Sequence, residues 1–463
     1  MSILLTHGYF LGEDAHERAI MRPYPPLGIL YLSAWLKSKG FQTHLLDNTF
    51  SHREDFPNEV RRLAPGVVGI YSNLMTRVSV LGLITSCRQL GLPVIVGGPD
   101  PANYPAEYLA KGADVVVIGE GEKTLEELLP LFDRPDPANL EQVTGIVFKR
   151  GDEIVRTPPR QDLMELDRLP FPDRSAIRIE DYLQTWRKHH GMGAVSLVTS
   201  RGCPYTCSWC SHSVFGYTYR LRNPVGVADE VELILADYKP ELLWYADDVF
   251  TLNHRWLKAY SSELKRRSIC VPFETISRED RLDDDVVRIL AEMGCYKLWI
   301  GAESGSQSVL DAMSRRTDAA RLPEVVRLLS QYGIKTGMFV MFGYEGEELE
   351  DIEKTLAMLK ACRPDSFLTT VAYPIKGTPY YDLVADRIIS STQWSQGSDR
   401  DFTVRGRHSK RFYRFANSWV VGEMARSRLA EEGAGDYLKR AKALARSKIG
   451  RLGMALTRGE KER

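Results

Sequence analysis

The chain has 463 residues, too many for one average domain, so two or three are expected. Hydrophobic residues make up 43% and charged residues 26%, the balance of a globular protein. Its 61 basic and 61 acidic residues cancel, so no global field recruits nucleic acid, and no apolar run approaches the roughly eighteen residues of a spanning helix.

The opening, MSILLTHGYF, has neither a basic n-region nor a cleavage site and reads as a first strand rather than a signal peptide. From there to about Phe132, apolar strands alternate with amphipathic helices. Strands are expected at Ile3–Thr6, Thr43–Asp47, Val67–Tyr71, Val94–Val96 and Val115–Ile118. Helices are expected at Leu27–Lys39, Asn58–Leu63, Val78–Leu90, Pro105–Lys111 and Lys123–Leu129. Five such units predict a doubly wound parallel sheet, whose ligands sit at the carboxyl ends of its strands. Pro135 and Pro137 end this run, TGIVFKRGDEIVR reads as a hairpin turning at Arg150-Gly151-Asp152, and Pro158–Pro172 reads as an ordered linker.

The alternation resumes near Ala194. Strands are expected at Val195–Thr199, Leu242–Tyr245, Val271–Thr275, Lys297–Ile300, Thr336–Met341 and Phe367–Ala372. Helices are expected at Val227–Ala236, Leu257–Arg267, Asp284–Met293, Pro323–Tyr332 and Leu349–Lys360. Six units are short of a closed eight-unit barrel and predict a partial (β/α)6 barrel. Beyond Tyr381 the aromatic residues of Trp394–Trp419 suit either an apolar lid or the core of the tail. Leu438, Ala441, Ala445, Ile449, Leu452 and Leu456 then recur at helical spacing among Lys439, Arg440, Lys442, Arg446, Lys448 and Arg451, a basic amphipathic helix. The fold class is therefore α/β: a first domain over residues 1–134, a hairpin and linker over 135–190, the barrel over 191–385 and a helical C-terminal extension over 386–463.

Seven cysteines, three of them in one short segment, do not form a disulfide framework and suit a reducing cytoplasm. The segment RGCPYTCSWCSH spaces Cys203, Cys207 and Cys210 three and then two residues apart. Three thiolates from one loop suffice for three irons of a [4Fe-4S] cubane and leave the fourth open, whereas ferredoxin spacing supplies a fourth cysteine. The rival is a Cys₃His zinc site completed by His212, although the spacing departs from paired zinc knuckles. Cys87, Cys270, Cys295 and Cys362 fall on expected helices or strands and read as buried small hydrophobes. His189-His190 reads as a surface loop.

With Trp209 before its last cysteine, the segment resembles the signature of the radical S-adenosylmethionine superfamily, and the likeness extends over about Ala194–Tyr381. That resemblance implies a cluster on Cys203, Cys207 and Cys210 whose open iron takes S-adenosylmethionine. It implies cofactor contacts from Asp247 and Asp248 after the second strand, though the family's usual Gly-Gly-Glu is absent there. Glu303 and Ser304 after the fourth strand match positions that contact the cofactor, and Arg278 is placed to reach its carboxylate. Gly337–Glu345 resembles the adenine-flanking segment and Tyr373–Pro379 the loop after the sixth strand.

The first domain carries Ser72-Asn73-Leu74, Gly97-Gly98 and Gly119-Glu120-Gly121-Glu122 after its third, fourth and fifth strands, all on one sheet edge. Glycine there lets a large planar ligand approach the backbone. The pattern, with MRPYPPLGILYLSAWLKSKG, resembles cobalamin-binding domains, and implies Ser72, Leu74, Gly97, Gly98, Gly119 and Glu120 as cobalamin contacts. The usual lower-ligand motif is incomplete at Asp14-Ala15-His16, so His16 reads as a solvated loop histidine ahead of a cobalt ligand.

Together these likenesses point to the group of the anaerobic magnesium-protoporphyrin ester cyclases. The expected activity is reductive cleavage of S-adenosylmethionine to a 5′-deoxyadenosyl radical, followed by cobalamin-dependent methylation of an unactivated carbon. Two alternatives stay open: radical oxidation, cyclisation or lipid and tetrapyrrole remodelling without methyl transfer, and a cobalamin or redox sensor with a structural metal. The expected partners are a small-molecule or lipid substrate and an electron donor such as flavodoxin or ferredoxin. Peripheral membrane contact through the basic C-terminal helix is a further expectation.

Overall fold

Five parallel strands at Ser2–His7, Gln42–Leu46, Val67–Tyr71, Val94–Gly97 and Val115–Val117 build the first sheet, in a computed structural model that describes residues 2–133, 137–431 and 436–463. Their order is second, first, third, fourth, fifth, so the chain reverses direction across the sheet between the first and third strands. Runs such as VVGIY are apolar and β-branched because helices cover both faces. Leu27–Ser38 and Glu122–Leu128 pack Tyr31, Trp35, Leu125 and Leu128 on one side. Phe56–Leu63, Arg77–Gln89 and Pro105–Ala110 pack Val60, Ile84 and Tyr108 on the other.

The expected hairpin forms at Ile146–Arg150 and Glu153–Arg156, but it joins the first sheet, pairing antiparallel beside Val115–Val117 and extending it to seven strands. The helix stop read at Pro135 lies outside the described residues. A helix not anticipated from the sequence, Ile179–His190, buries Ile179, Tyr182, Leu183 and Trp186 at helical spacing. His189 and His190 are therefore its last turn rather than a loop, and the His190 ring packs 5.1 Å from Trp186.

Six parallel strands in sequential order form the second sheet: Ala194–Leu197, Leu242–Tyr245, Phe273–Ser277, Cys295–Glu303, Lys335–Phe342 and Ser366–Val371. The first and last do not pair with each other, so the barrel is partial. The third strand starts after Pro272 rather than at Val271, because proline supplies no N–H to the ladder. Outward side chains such as Val195, Leu298 and Val340 pack against the helices, and Phe412, Trp419 and Val420 of the C-terminal extension join that core. Phe412, Tyr413 and Trp419 thus serve the core, on a helix Lys410–Glu431 that packs along Tyr437–Thr457, whereas Trp394 packs on Tyr104 and Tyr108 of the first domain. Cys87, Cys295 and Cys362 are buried as expected, whereas Cys270 is exposed, because it precedes the strand in the turn before Pro272.

Candidate active site between the two sheets

The cysteine segment leaves the second sheet after its first strand. Ser200–Arg201 and Arg220–Leu221 pair antiparallel and close the base of the excursion. Gly202 turns the chain at φ +85°, and a Cβ there would sit 2.2 Å from the Thr218 carbonyl oxygen, so this position of the RGCP string demands glycine. The loop is pinned by Ser208 N–H donating to the Met313 carbonyl at 2.9 Å and Tyr380 N–H donating to the Ser208 carbonyl at 2.8 Å. Trp209 packs beside Met341, Tyr344 and Tyr380.

All three cysteines are free thiols. Cys207 is buried, with Arg278 Nη1 at 3.7 Å from its sulfur. The Cys207 thiol is drawn down to about 5, first by its hydrogen bond with Cys210 and then by the Arg315 and Arg278 charges, against burial. The Arg278 guanidinium lies 3.7 Å over the Tyr205 ring and donates to Asp280 at 2.9 Å and to the Arg315 carbonyl at 2.8 Å. Glu303 faces the same corner from a register shift in its strand, at φ +58°, a costly conformation for a residue with a side chain. Burial raises its carboxyl to about 7 despite the Arg315 charge, so Glu303 titrates around neutrality. Arg315 and Glu279 were not singled out from the sequence. Arg315 sits in a plain SRRT string with no motif to mark it, yet it is buried 3.5 Å from Glu279.

His212 does not complete a zinc site. Its Nδ1 lies 3.2 Å from the Gly216 carbonyl oxygen and its ring stacks on Tyr217 at 4.2 Å. Among the described residues no three His, Cys, Asp or Glu side chains gather as ligands of a single ion.

Opposite the cysteine loop lies the carboxyl edge of the first sheet. Between them is a cavity of about 720 Å³, lined from one side by Leu74, Gly97, Gly98 and Gly119 and from the other by Cys203 and Asp248. Gly98 holds φ +112°, and a Cβ there would meet the Ser72 carbonyl oxygen at 2.3 Å, so this point of the sheet edge is bare backbone by steric necessity. Asp248 is open to the cavity, and burial raises its carboxyl. The apolar walls and glycine rim fit a broad planar ring, and three free thiols on one loop fit a cluster.

Four residues expected to touch cofactor have their polar atoms engaged within the protein. Asp247 is buried, accepting from Thr199 N–H at 3.1 Å and Thr199 Oγ1 at 2.9 Å. Ser304 bonds Thr355 Oγ1 at 3.1 Å, and Ser72 bonds the Tyr108 hydroxyl at 2.8 Å. Glu120 lines the cavity, but its two oxygens take Arg201 and Arg220, each at 2.7 Å. With Arg201 also reaching Glu122 at 2.6 Å, these buried ion pairs lock the first sheet against the strand that leads into the cysteine loop. His16 is exposed and absent from the cavity wall; Asp14 of the same string caps the helix Ala15–Ile20.

The B12 binding domain model matches residues 20–129, and the Radical SAM superfamily model matches residues 197–359. The chain is a radical S-adenosylmethionine enzyme with a B12-binding domain. The cofactors these two domains define are a [4Fe-4S] cluster, S-adenosylmethionine and cobalamin. An uncharacterized methyltransferase of Pyrococcus horikoshii is 24% identical, over 86% of each chain. The anaerobic magnesium-protoporphyrin IX monomethyl ester cyclase of Cereibacter sphaeroides is 26% identical over 84% of this chain and 64% of its own length. The fold matches that of the radical S-adenosylmethionine methyltransferase TsrM from Kitasatospora setae, solved with cobalamin and a [4Fe-4S] cluster, at a TM-score of 0.73. Sequence identity there is 18%, over 98% of this chain and 99% of that one. Among the described residues no helix is long and apolar enough to cross a membrane.

Proposed function

We propose that this enzyme methylates a poorly activated carbon of a small molecule, with Cys203, Cys207 and Cys210 holding the cluster. The observation that carries the reading is the shared cavity, because it brings the glycine edge of the first sheet and the cysteine loop of the second to one chamber. When bound, the reduced cluster supplies the electron that splits S-adenosylmethionine, and the corrinoid supplies a methyl carrier.

The chain's own residues position and insulate. Gly97, Gly98 and Gly119 let a planar ring lie against the backbone, while Leu74 and its apolar neighbours exclude water. Arg278 and Arg315 place positive charge beside Cys207, which favours its thiolate as a ligand. Glu303, raised so that it exchanges its proton around pH 7, can donate a hydrogen bond when protonated or accept one when ionised at the cofactor corner. Asp248 presents its carboxyl group to the cavity, whereas Asp247 acts through the strand it braces. The electron comes from a protein donor of the flavodoxin or ferredoxin kind.

The test uses anaerobically reconstituted protein with cobalamin, dithionite and methyl-labelled S-adenosylmethionine, presented with candidate substrates. Methyl transfer predicts label in the product together with S-adenosylhomocysteine and 5′-deoxyadenosine. Deoxyadenosine with an unlabelled, oxidised or cyclised product would replace methylation by the cyclase-type reaction. No deoxyadenosine from protein carrying a full cluster would overturn both.

A further inference from the structure

The C-terminal helix Tyr437–Thr457 is turned inside out relative to an ordinary packed helix. It meets its partner, Lys410–Glu431, through small residues: Ala443, Ser447, Gly450, Gly453 and Thr457 are buried, with Met454 as the one large exception. The approach is close. A Cβ on Gly450 would lie 2.4 Å from the Trp419 backbone nitrogen, and one on Gly422 would lie 2.5 Å from that of Ser447. The large aliphatic side chains point the other way, with Leu438 74%, Ile449 60%, Leu452 62% and Leu456 75% exposed. With Ala441 and Ala445 they fall within an arc of about 80° at 3.6 residues per turn, roughly opposite the packed face.

Charge frames this stripe. Tyr437–Thr457 contains six lysines and arginines and no acidic residue. Lys442 and Arg446 flank the stripe on one side and Lys448 on the other, all three exposed. Burying four leucine and isoleucine side chains inside the protein would have stabilised it, so leaving them out needs an external apolar phase. A second copy of this chain meets the apolar requirement but sets six cations against six. An anionic bilayer meets both requirements: the stripe enters the acyl boundary and the flanking cations meet lipid phosphates.

We propose that the Tyr437–Thr457 helix is a docking face for an anionic membrane surface, lying in the interface rather than across the bilayer. The inference is independent of the radical reaction and of its substrate. It also needs no conformational change, since the stripe is already exposed.

The experiment is co-sedimentation of the full chain with vesicles of phosphatidylcholine alone or of phosphatidylcholine with phosphatidylglycerol. Binding is expected only to the anionic vesicles, falling as salt rises. Leu438→Gln, Ile449→Gln and Leu452→Gln together should weaken partitioning by about tenfold or more while leaving the melting temperature and deoxyadenosine yield unchanged. Lys442→Gln and Lys448→Gln should each cost roughly fivefold. Equal binding to neutral vesicles, or no loss in the triple variant, would overturn the proposal. So would a dimer in analytical ultracentrifugation that the triple variant dissolves, which would assign the stripe to a second copy.

Discussion

The two sheet edges that face each other across the cavity follow one topological rule and present opposite chemistry. Both put their functional loops at the carboxyl ends of parallel strands. The first offers absence: Gly97, Gly98 and Gly119 remove side chains so that a broad ring can rest on backbone. The second offers concentrated charge and sulfur: Cys203, Cys207 and Cys210, with Arg278, Arg315 and Glu303 behind them. A large ligand is recognised by shape over many weak contacts, and a small charged one by a few strong bonds. A substitution on the second edge should therefore be catastrophic, and one on the first graded.

The largest effect is expected at the cysteines. Changing any one of Cys203, Cys207 or Cys210 to Ala should abolish the visible absorbance of the cluster and lower deoxyadenosine formation by more than about 100-fold. Cys270→Ala, at an exposed site remote from the loop, should change neither. A variant that keeps a full cluster after losing one of the three would break the contrast at once.

Next comes the seam between the edges. Arg201→Met strands Glu122 in a buried setting, leaves Glu120 with Arg220 alone, and should cost about 3–5 kcal/mol in chemical denaturation. Arg201→Lys should recover only part of this, since one ammonium cannot span two carboxylates as the guanidinium fork does. An unchanged denaturation midpoint in Arg201→Met would mean that the seam does not hold the two edges together.

A pH effect of intermediate size should report on the barrel side. Burial raises the Glu347 carboxyl to about 8, against an ordinary 4.5, and its Gly343 N–H partner only partly offsets this. The folded state binds this proton more tightly than the unfolded chain. Its contribution to stability is therefore full below pH 4.5 and is lost as pH rises from 4.5 to about 8, a fall of up to about 5 kcal/mol. Glu347→Gln should flatten that part of the stability profile in denaturation series across the window. An unaltered slope would show that Glu347 ionises normally.

The smallest effect should separate ligand fit from folding on the glycine edge. At Gly97 an added Cβ meets only Val117, at an ordinary 3.6 Å from its Cβ and 3.9 Å from its carbonyl oxygen, whereas Gly98 has a left-handed backbone and a 2.3 Å clash. Gly97→Leu should therefore melt within about 1 kcal/mol of wild type yet hold cobalamin about tenfold more weakly by equilibrium dialysis. Gly98→Ala should lose stability first. Equal cobalamin affinity in Gly97→Leu would remove that glycine from the cradle.

Much of this was written locally. Strand and helix periodicity set ten of the eleven parallel strands within a residue or two, because a parallel strand buried on both faces leaves an uninterrupted apolar run; only Cys295–Glu303 ran further past its expected ends. The three-then-two cysteine spacing and the glycine pairs were legible for the same reason, since each is confined to one short segment. What the sequence could not carry was direction. Asp247, Ser72 and Ser304 sit at the expected strand ends, but their side chains turn inward to brace neighbouring elements. Glu120 meets Arg201 and Arg220 from 81 and 100 residues away, and Arg315 reaches the cysteine corner from more than 100 residues beyond it. In the C-terminal helix an apolar stripe and a basic surround were legible from residue spacing, but helical periodicity is blind to which face a partner covers. Only the packing of Gly450 against Trp419 decided that the small residues go in and the leucines face out. Local sequence determines which groups are available, and long-range packing determines where each points, because pairing partners far apart in the chain are chosen by the whole fold.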